Sequence, residues 1–124
     1  MTYVLGLGFR ENAPLEALLE VAHAATMGHA DATLIATLDR KARTPQCRDL
    51  AAAINAQIQI IPEELLKGVK TPTQSEAIFK RFGTGSLAEA CALTSRPNAT
   101  LITPRVTSQD GTATAALAYL ETDI

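Results

Sequence analysis

The chain has no tryptophan, and its aromatic content is only 4%, made up of three phenylalanines and two tyrosines. Stacking platforms for unpaired bases are therefore scarce, which argues against single-stranded nucleic acid as a ligand. Cysteine is equally thin. Cys47 and Cys91 are far apart and lack partners at metal-ligand spacing, so neither a disulfide framework nor a metal site is expected, and reduced thiols are the default state. Excess charge of one sign is missing too. Eleven basic residues stand against thirteen acidic ones, a formal charge of −2, which provides no general attraction to nucleic acid or to an anionic membrane. No apolar run approaches the roughly 18 residues a membrane-spanning helix needs. Met1-Thr2-Tyr3-Val4 has neither the charged nor the apolar region of a signal peptide. A cytoplasmic protein is expected.

What is present is apolar and small. Hydrophobic residues make up 47% of the 124 positions and charged ones 19%, enough for one packed domain over residues 1–124 with a core of Ala, Leu, Ile and Val. Val4, Leu5 and Leu7 predict a first strand breaking into a Gly6-Leu7-Gly8 turn. Asn12 or Ala13 then caps a helix with Pro14 in its first turn, Leu15, Leu18, Leu19, Ala22 and Ala25 on one face, and Gly28 at its close. Ala32 to Leu38 predicts a second strand that Asp39-Arg40-Lys41 ends. Pro45 opens a helix with Leu50, Ala51, Ala53 and Ile54 as its apolar face. Ile58, Ile60 and Ile61 predict a third strand, and Pro62-Glu63-Glu64-Leu65-Leu66 a short helical turn.

Thr73–Glu76 and Ser86–Glu89 have capping-box spacing and predict helices at 74–82 and 87–94, separated by Gly83-Thr84-Gly85. Leu101-Ile102 reads as a fourth strand before Pro104, and Asp110-Gly111 as a hairpin turn. The alternation of strand and helix predicts an α/β fold: a largely parallel sheet flanked by helices, with a C-terminal antiparallel hairpin.

In open α/β sheets the carboxyl ends of the strands are where loops converge on ligands. Gly8 and Arg10 follow the first predicted strand, Asp39 and Lys41 the second, Glu63 and Glu64 the third, and Arg105 the fourth. Parallel strands place Arg10, Lys41 and Arg105 on one rim suited to carboxylate or phosphate. Thr84, Gly85 and Ser86 add a glycine-containing turn at a helix N-terminus, where N–H groups favour anions. Neither glycine segment is a nucleotide fingerprint. No Gly-Lys-Ser/Thr follows Gly83, and Gly6-x-Gly8 lacks a third glycine. The basic residues Arg40, Lys41, Arg43 and Arg48 also crowd nine positions, a pattern that more often marks a solvated helix face than a site. Asp39 and Glu63 are the candidate general bases, and each also suits a cap, turn or salt bridge. His23 and His29 fall away from the rim.

Four segments carry a family resemblance: Gly6-Leu-Gly8-Phe-Arg10, Thr37-Leu-Asp39-Arg-Lys41, Gly83-Thr-Gly85-Ser86-Leu-Ala88-Glu89-Ala90, and Leu101-Ile-Thr-Pro104-Arg105 with the Gly111-Thr-Ala-Thr-Ala strand after it. In order and spacing they span almost the whole chain, which resembles the family of CobE proteins and the C-terminal domain of CbiG. Three positions depart from that pattern. Phe9 and Glu11 stand where the family usually has Cys and a second Arg, and Arg105 where Lys is common.

The resemblance implies cobalamin (vitamin B12) biosynthesis at the corrin-ring stage. The implied ligand is a precorrin tetrapyrrole fringed with carboxylates, no cofactor is implied, and other pathway enzymes are possible partners. CbiG-type proteins act as cobalt-precorrin-5A hydrolases, opening a lactone and releasing acetaldehyde, and carry a further N-terminal domain. The present 124 residues look like the stand-alone CobE type. Three readings follow: a corrinoid-binding protein, a lactone hydrolase using Asp39 or Glu63, and an adaptor subunit.

Overall fold

A computed structural model describes residues 2–120. Five strands form one sheet in the order β3-β2-β1-β5-β4: β1 (Thr2–Phe9), β2 (Leu34–Leu38), β3 (Gln57–Ile61), β4 (Ala99–Thr107) and β5 (Ala113–Leu120). The helices are α1 (Leu15–Thr26), α2 (Asp39–Ala42), α3 (Pro45–Ile54), α4 (Glu76–Phe82) and α5 (Leu87–Thr94), with a single 3-10 turn at Glu63–Leu65.

The fold is one α/β domain, but its sheet is mixed rather than largely parallel. β1 pairs parallel with β2, and β2 with β3, whereas β5 pairs antiparallel with both β1 and β4. The fourth strand also differs from its expected two residues. It runs from Ala99 to Thr107 and turns through Asp110-Gly111 into β5. The missing signal was Pro104, which looked like a terminator. β4 is an edge strand, where a residue without an N–H is tolerated, and its register with β5 shifts on both sides of Thr103.

Side chains alternate across β1 and build two cores. Leu5, Leu7 and Phe9 face α1 and α3, with Leu18, Val21, Cys47 and Leu50 fully or nearly fully buried against them. Val4 faces the other side, where Ala90, Cys91 and Ala92 of α5 pack with Leu66, Ile61 and Leu38. Glycine explains how close α5 lies. Gly6 and Gly8 sit inside β1 and do not form the expected turn. A Cβ at Gly6 would run into the Ala88 carbonyl oxygen and come within 2.8 Å of Ala92 N. At Gly8 it would lie 3.0 Å from Thr114 Oγ1 and 3.3 Å from Leu87 Cδ2. α5 is buried on nearly all sides, which accounts for its run of Ala and Cys in place of an amphipathic stripe.

Local predictions hold where the signal is local. Pro45 opens α3 with the Thr44 hydroxyl accepting from Cys47 N, and α1 ends with Gly28 at a positive φ of 82°. Pro14, not Asn12 or Ala13, sits at the N-cap of α1. Ala53 is exposed, and Cys47 takes its place in the core.

The two capping boxes do not form as spaced. Ser75, not Thr73, caps α4. Ser86 does cap α5, accepting from Glu89 N, but the Glu89 carboxylate does not return to it. Fully buried, it accepts from Thr73 N at 2.9 Å, Thr73 Oγ1 at 2.9 Å and Arg105 N at 2.7 Å. One side chain thus joins the start of α5, the irregular 66–75 segment and β4. The register shift at Pro104 frees Arg105 N for this bond.

Two substitutions test this packing. Gly6→Ala must push α5 from the sheet and is expected to cost about 1–3 kcal/mol in urea unfolding; wild-type stability would refute the close approach. Glu89→Gln keeps the volume but turns one acceptor into a donor facing donors. A loss of roughly 2–3 kcal/mol is expected, and an unchanged urea midpoint would show that the carboxylate does not hold these segments.

Candidate functional site

Three elements deliver cations to the carboxyl edge of β1 and β2. Arg10 directly follows β1, its backbone N donating to Thr112 O at 2.8 Å. β2 ends at Leu38, and the single turn of α2 that follows projects Arg40 and Lys41 from the same edge. α4 brings Arg81 from across the sheet face. The 66–86 segment folds back to this edge because Gly68 N donates to Gly83 O, and Gly83, at a φ of 76°, ends α4.

These parts enclose a cleft of about 280 Å3 lined by Gly8, Phe9, Arg10, Leu38, Arg40, Lys41, Ile78, Arg81, Phe82, Leu87, Gly111, Thr112 and Thr114. Four cations line it, and none of its described lining residues is an Asp or Glu. Phe9 forms part of the floor, with Lys41 Nζ 5.2 Å from its ring centroid. Lys41 is the one titratable group here whose proton affinity is clearly displaced. Partial burial lowers its pKa from 10.5, the Arg40 charge lowers it further, Glu11 opposes the shift, and Arg81 adds to it. Gathering like charges at a partly desolvated edge disfavours the protonated amine until an anion arrives.

The structure brings together only some of the sequence-predicted residues. Gly8, Arg10 and Lys41 meet in the cleft. Asp39 lies beside it and is taken up by Arg43, with Nε to Oδ1 at 2.9 Å and both side chains exposed. Glu63 and Glu64 line an adjoining hollow of about 530 Å3 with Asp39, and Arg40, Lys41 and Arg81 line both spaces.

Thr84, Gly85 and Ser86 are buried and do not line the cleft. The Thr84 hydroxyl donates to Val69 O at 2.7 Å. Gly85 leaves room for the Thr73 carbonyl, and the Ser86 hydroxyl serves as helix cap. Arg105 lies within β4 rather than after it, and its backbone N is bound to Glu89. Arg40 and Arg81 complete the cation set. Arg40 belonged to the basic run, whereas nothing local in the sequence marks Arg81, since only the fold-back of α4 brings it here.

Other groups are committed elsewhere. Burial pushes the Cys47 thiol up to about 11 and that of Cys91 up to about 12, so neither supplies a thiolate nucleophile near neutral pH. Hydrogen bonds from Ser108 and Thr112 hold exposed Asp110 below the ordinary carboxylate range, in the hairpin turn. Among the described residues no group of three or more His, Cys, Asp or Glu could hold a metal ion, and no helix is long and apolar enough to cross a membrane. A larger hollow, about 950 Å3, lies at the opposite sheet edge and is bounded by Leu120, the last described residue. Among the described residues its one charged lining residue is Arg96, which donates to Gln59 Oε1 at 3.0 Å.

Comparison with known proteins agrees with this architecture. The cobalamin synthesis G C-terminus family matches residues 3–118. No curated protein sequence matches the chain significantly. Among solved structures, CobE, a protein from the cobalamin (vitamin B12) biosynthetic pathway, superposes with a TM-score of 0.80 at 23% identity, over 99% of this chain and 93% of that one. The cobalamin biosynthesis protein chiG from Agrobacterium tumefaciens strain C58 gives 0.70 at 26% identity, over 94% and 97%. A cobalamin biosynthesis protein G homolog from Sulfolobus solfataricus gives 0.67 at 15% identity over 95% of this chain, which spans only 36% of that longer protein. The chain belongs to the cobalamin synthesis G C-terminus family, a family of cobalamin biosynthesis.

Proposed function

We propose that the protein binds a carboxylate-fringed corrin-ring intermediate of cobalamin biosynthesis, with Arg10, Arg40, Lys41 and Arg81 pairing with peripheral carboxylates. The observation that carries this reading is the cleft at the β1–β2 edge, where four cations converge and no carboxylate stands among the described lining residues. Arg forks engage carboxylates through paired hydrogen bonds, and Lys41 adds a compact charge. Gly8 serves the cleft indirectly, by leaving room for Leu87 of α5 to form part of its wall. Family membership supplies the ligand class, since tetrapyrrole acids of this pathway carry several carboxylates around one ring.

Lactone hydrolysis is less well supported. The carboxylates of Asp39, Glu63 and Glu64 are exposed in the adjoining hollow, Asp39 is already paired with Arg43, and Glu11, whose charge acts on Lys41, is exposed as well. Carriage of the ligand, alone or in contact with another pathway enzyme, asks only for the cations.

Cobyrinic acid, a corrin with free carboxylates, is a suitable probe because its visible spectrum reports its surroundings. Saturable binding at micromolar protein is expected, weakened about threefold to tenfold by either Arg10→Ala or Lys41→Ala. The pH dependence has a definite sign. Bound carboxylates favour protonated Lys41, whose pKa in the free protein lies below 10.5. Affinity should therefore fall as pH rises through that lowered pKa, and Lys41→Met should abolish that alkaline loss. No saturable spectral change, or affinity indifferent to both cation substitutions, would refute the reading.

A further inference from the structure

Beside the cationic cleft lies a second hollow, about 650 Å3, walled by Phe79 and Phe82 of α4 and by Gly68 and Gly83. Arg81 and Phe82 line both spaces. Arg81 Cζ stands 5.1 Å from the Phe82 ring centroid, so the two form a shared ridge. Phe79 is 59% exposed, an unusual cost for so large an apolar side chain. Among the described residues, the exposed large hydrophobics are Met27, Ile60, Leu65 and Phe79. All but Met27 belong to elements bordering this edge, whereas Met27 ends α1 at the opposite one. Exposed apolar surface gathered beside a charged cleft marks a binding surface more than chance exposure does.

We propose that the Phe79–Phe82 hollow seats the flat apolar body of the ligand whose carboxylates enter the cationic cleft, an inference that rests on the reading given under Proposed function. The proposal adds an apolar contact for the ring to the ionic contacts already assigned to its carboxylates. Glu63, Glu64, Lys67 and Lys80 also line the hollow, so its own charges nearly balance and give acid arms little net pull there. The cleft has four cations and no carboxylate among its described lining residues, and it draws the arms across the Arg81–Phe82 ridge. Phe79 then acts as a specificity-determining contact that senses the ring and not its charge.

The test is cobyrinic acid binding at a series of salt concentrations, comparing wild type with Phe79→Ala and Lys41→Ala. Phe79 is outside the core, so its replacement leaves folding intact. Phe79→Ala should weaken binding roughly fivefold to tenfold while keeping the wild-type slope of affinity against salt. Lys41→Ala should weaken binding and flatten that slope, because it removes a charge. Affinity of Phe79→Ala within twofold of wild type would overturn the ring-seating role and leave corrinoid binding standing. A flattened slope for Phe79→Ala would also overturn it, by assigning the residue to the ionic contacts. Absence of binding by the wild type would overturn both readings together.

Discussion

The buried carboxylate of Glu89 is the constraint on which the rest of this domain depends. An isolated charge in a core costs several kcal/mol unless donors surround it. Here the Thr73 N–H and hydroxyl and the Arg105 N–H provide them, and Glu89 lies in the first turn of α5, where the helix dipole favours negative charge. The Thr73 donors come from a segment with no regular structure, and the Arg105 donor from an irregular stretch of β4. The 66–75 stretch has no ladder of its own and relies on side-chain bonds such as Thr71 Oγ1 to Thr73 O and Thr84 Oγ1 to Val69 O. β4 meets β5 across two register shifts. Removing the Glu89 anchor would loosen both at once. α4 is carried by the first of them, so the position of Arg81 and Phe82 in the site depends on a side chain that never touches a ligand.

The close seat of α5 is the second part of the same arrangement. Gly6 and Gly8 let the helix lie almost on the backbone of β1, bringing its N-terminal Leu87 to the cleft wall. The cleft itself gathers charge against its own interest. Lys41 loses solvent and faces Arg40 and Arg81, with only Glu11 in opposition. A fold selected for stability alone would spread those cations apart. Locally unfavourable charge at the carboxyl edge of an α/β sheet is what a pre-formed anion site requires.

Elements whose cause is local were legible in the sequence. The three-and-four spacing of Leu15, Leu18, Ala22 and Ala25, the Thr44-Pro45 start of α3, and the isoleucines of β3 each state their own structure. Arg10 and Lys41 could be placed on one rim because both follow strands that proved parallel. Other features answer to distant partners. Gly6 and Gly8 look like a turn unless the Ala88 backbone above them is known. Ser86 and Glu89 have the spacing of a reciprocal cap, yet Thr73 and Arg105 compete successfully for the carboxylate. Thr84 resembles an anion-binding hydroxyl until Val69 O is seen to accept from it. Arg81 has no local mark at all, because contacts between distant residues, such as Gly68 N to Gly83 O and Thr73 to Glu89, carry it back across the sheet.

The central claim is that carboxylates are held at the β1–β2 edge and nowhere else on the molecule. Backbone amide shifts of labelled protein titrated with cobyrinic acid test it most directly. Saturable shifts at Arg10, Lys41, Arg81 and Phe82, with Asn55 and Arg96 at the opposite hollow unmoved, are the expected result. Shifts confined to Asn55 and Arg96, or no saturable shift at any amide, would contradict the account.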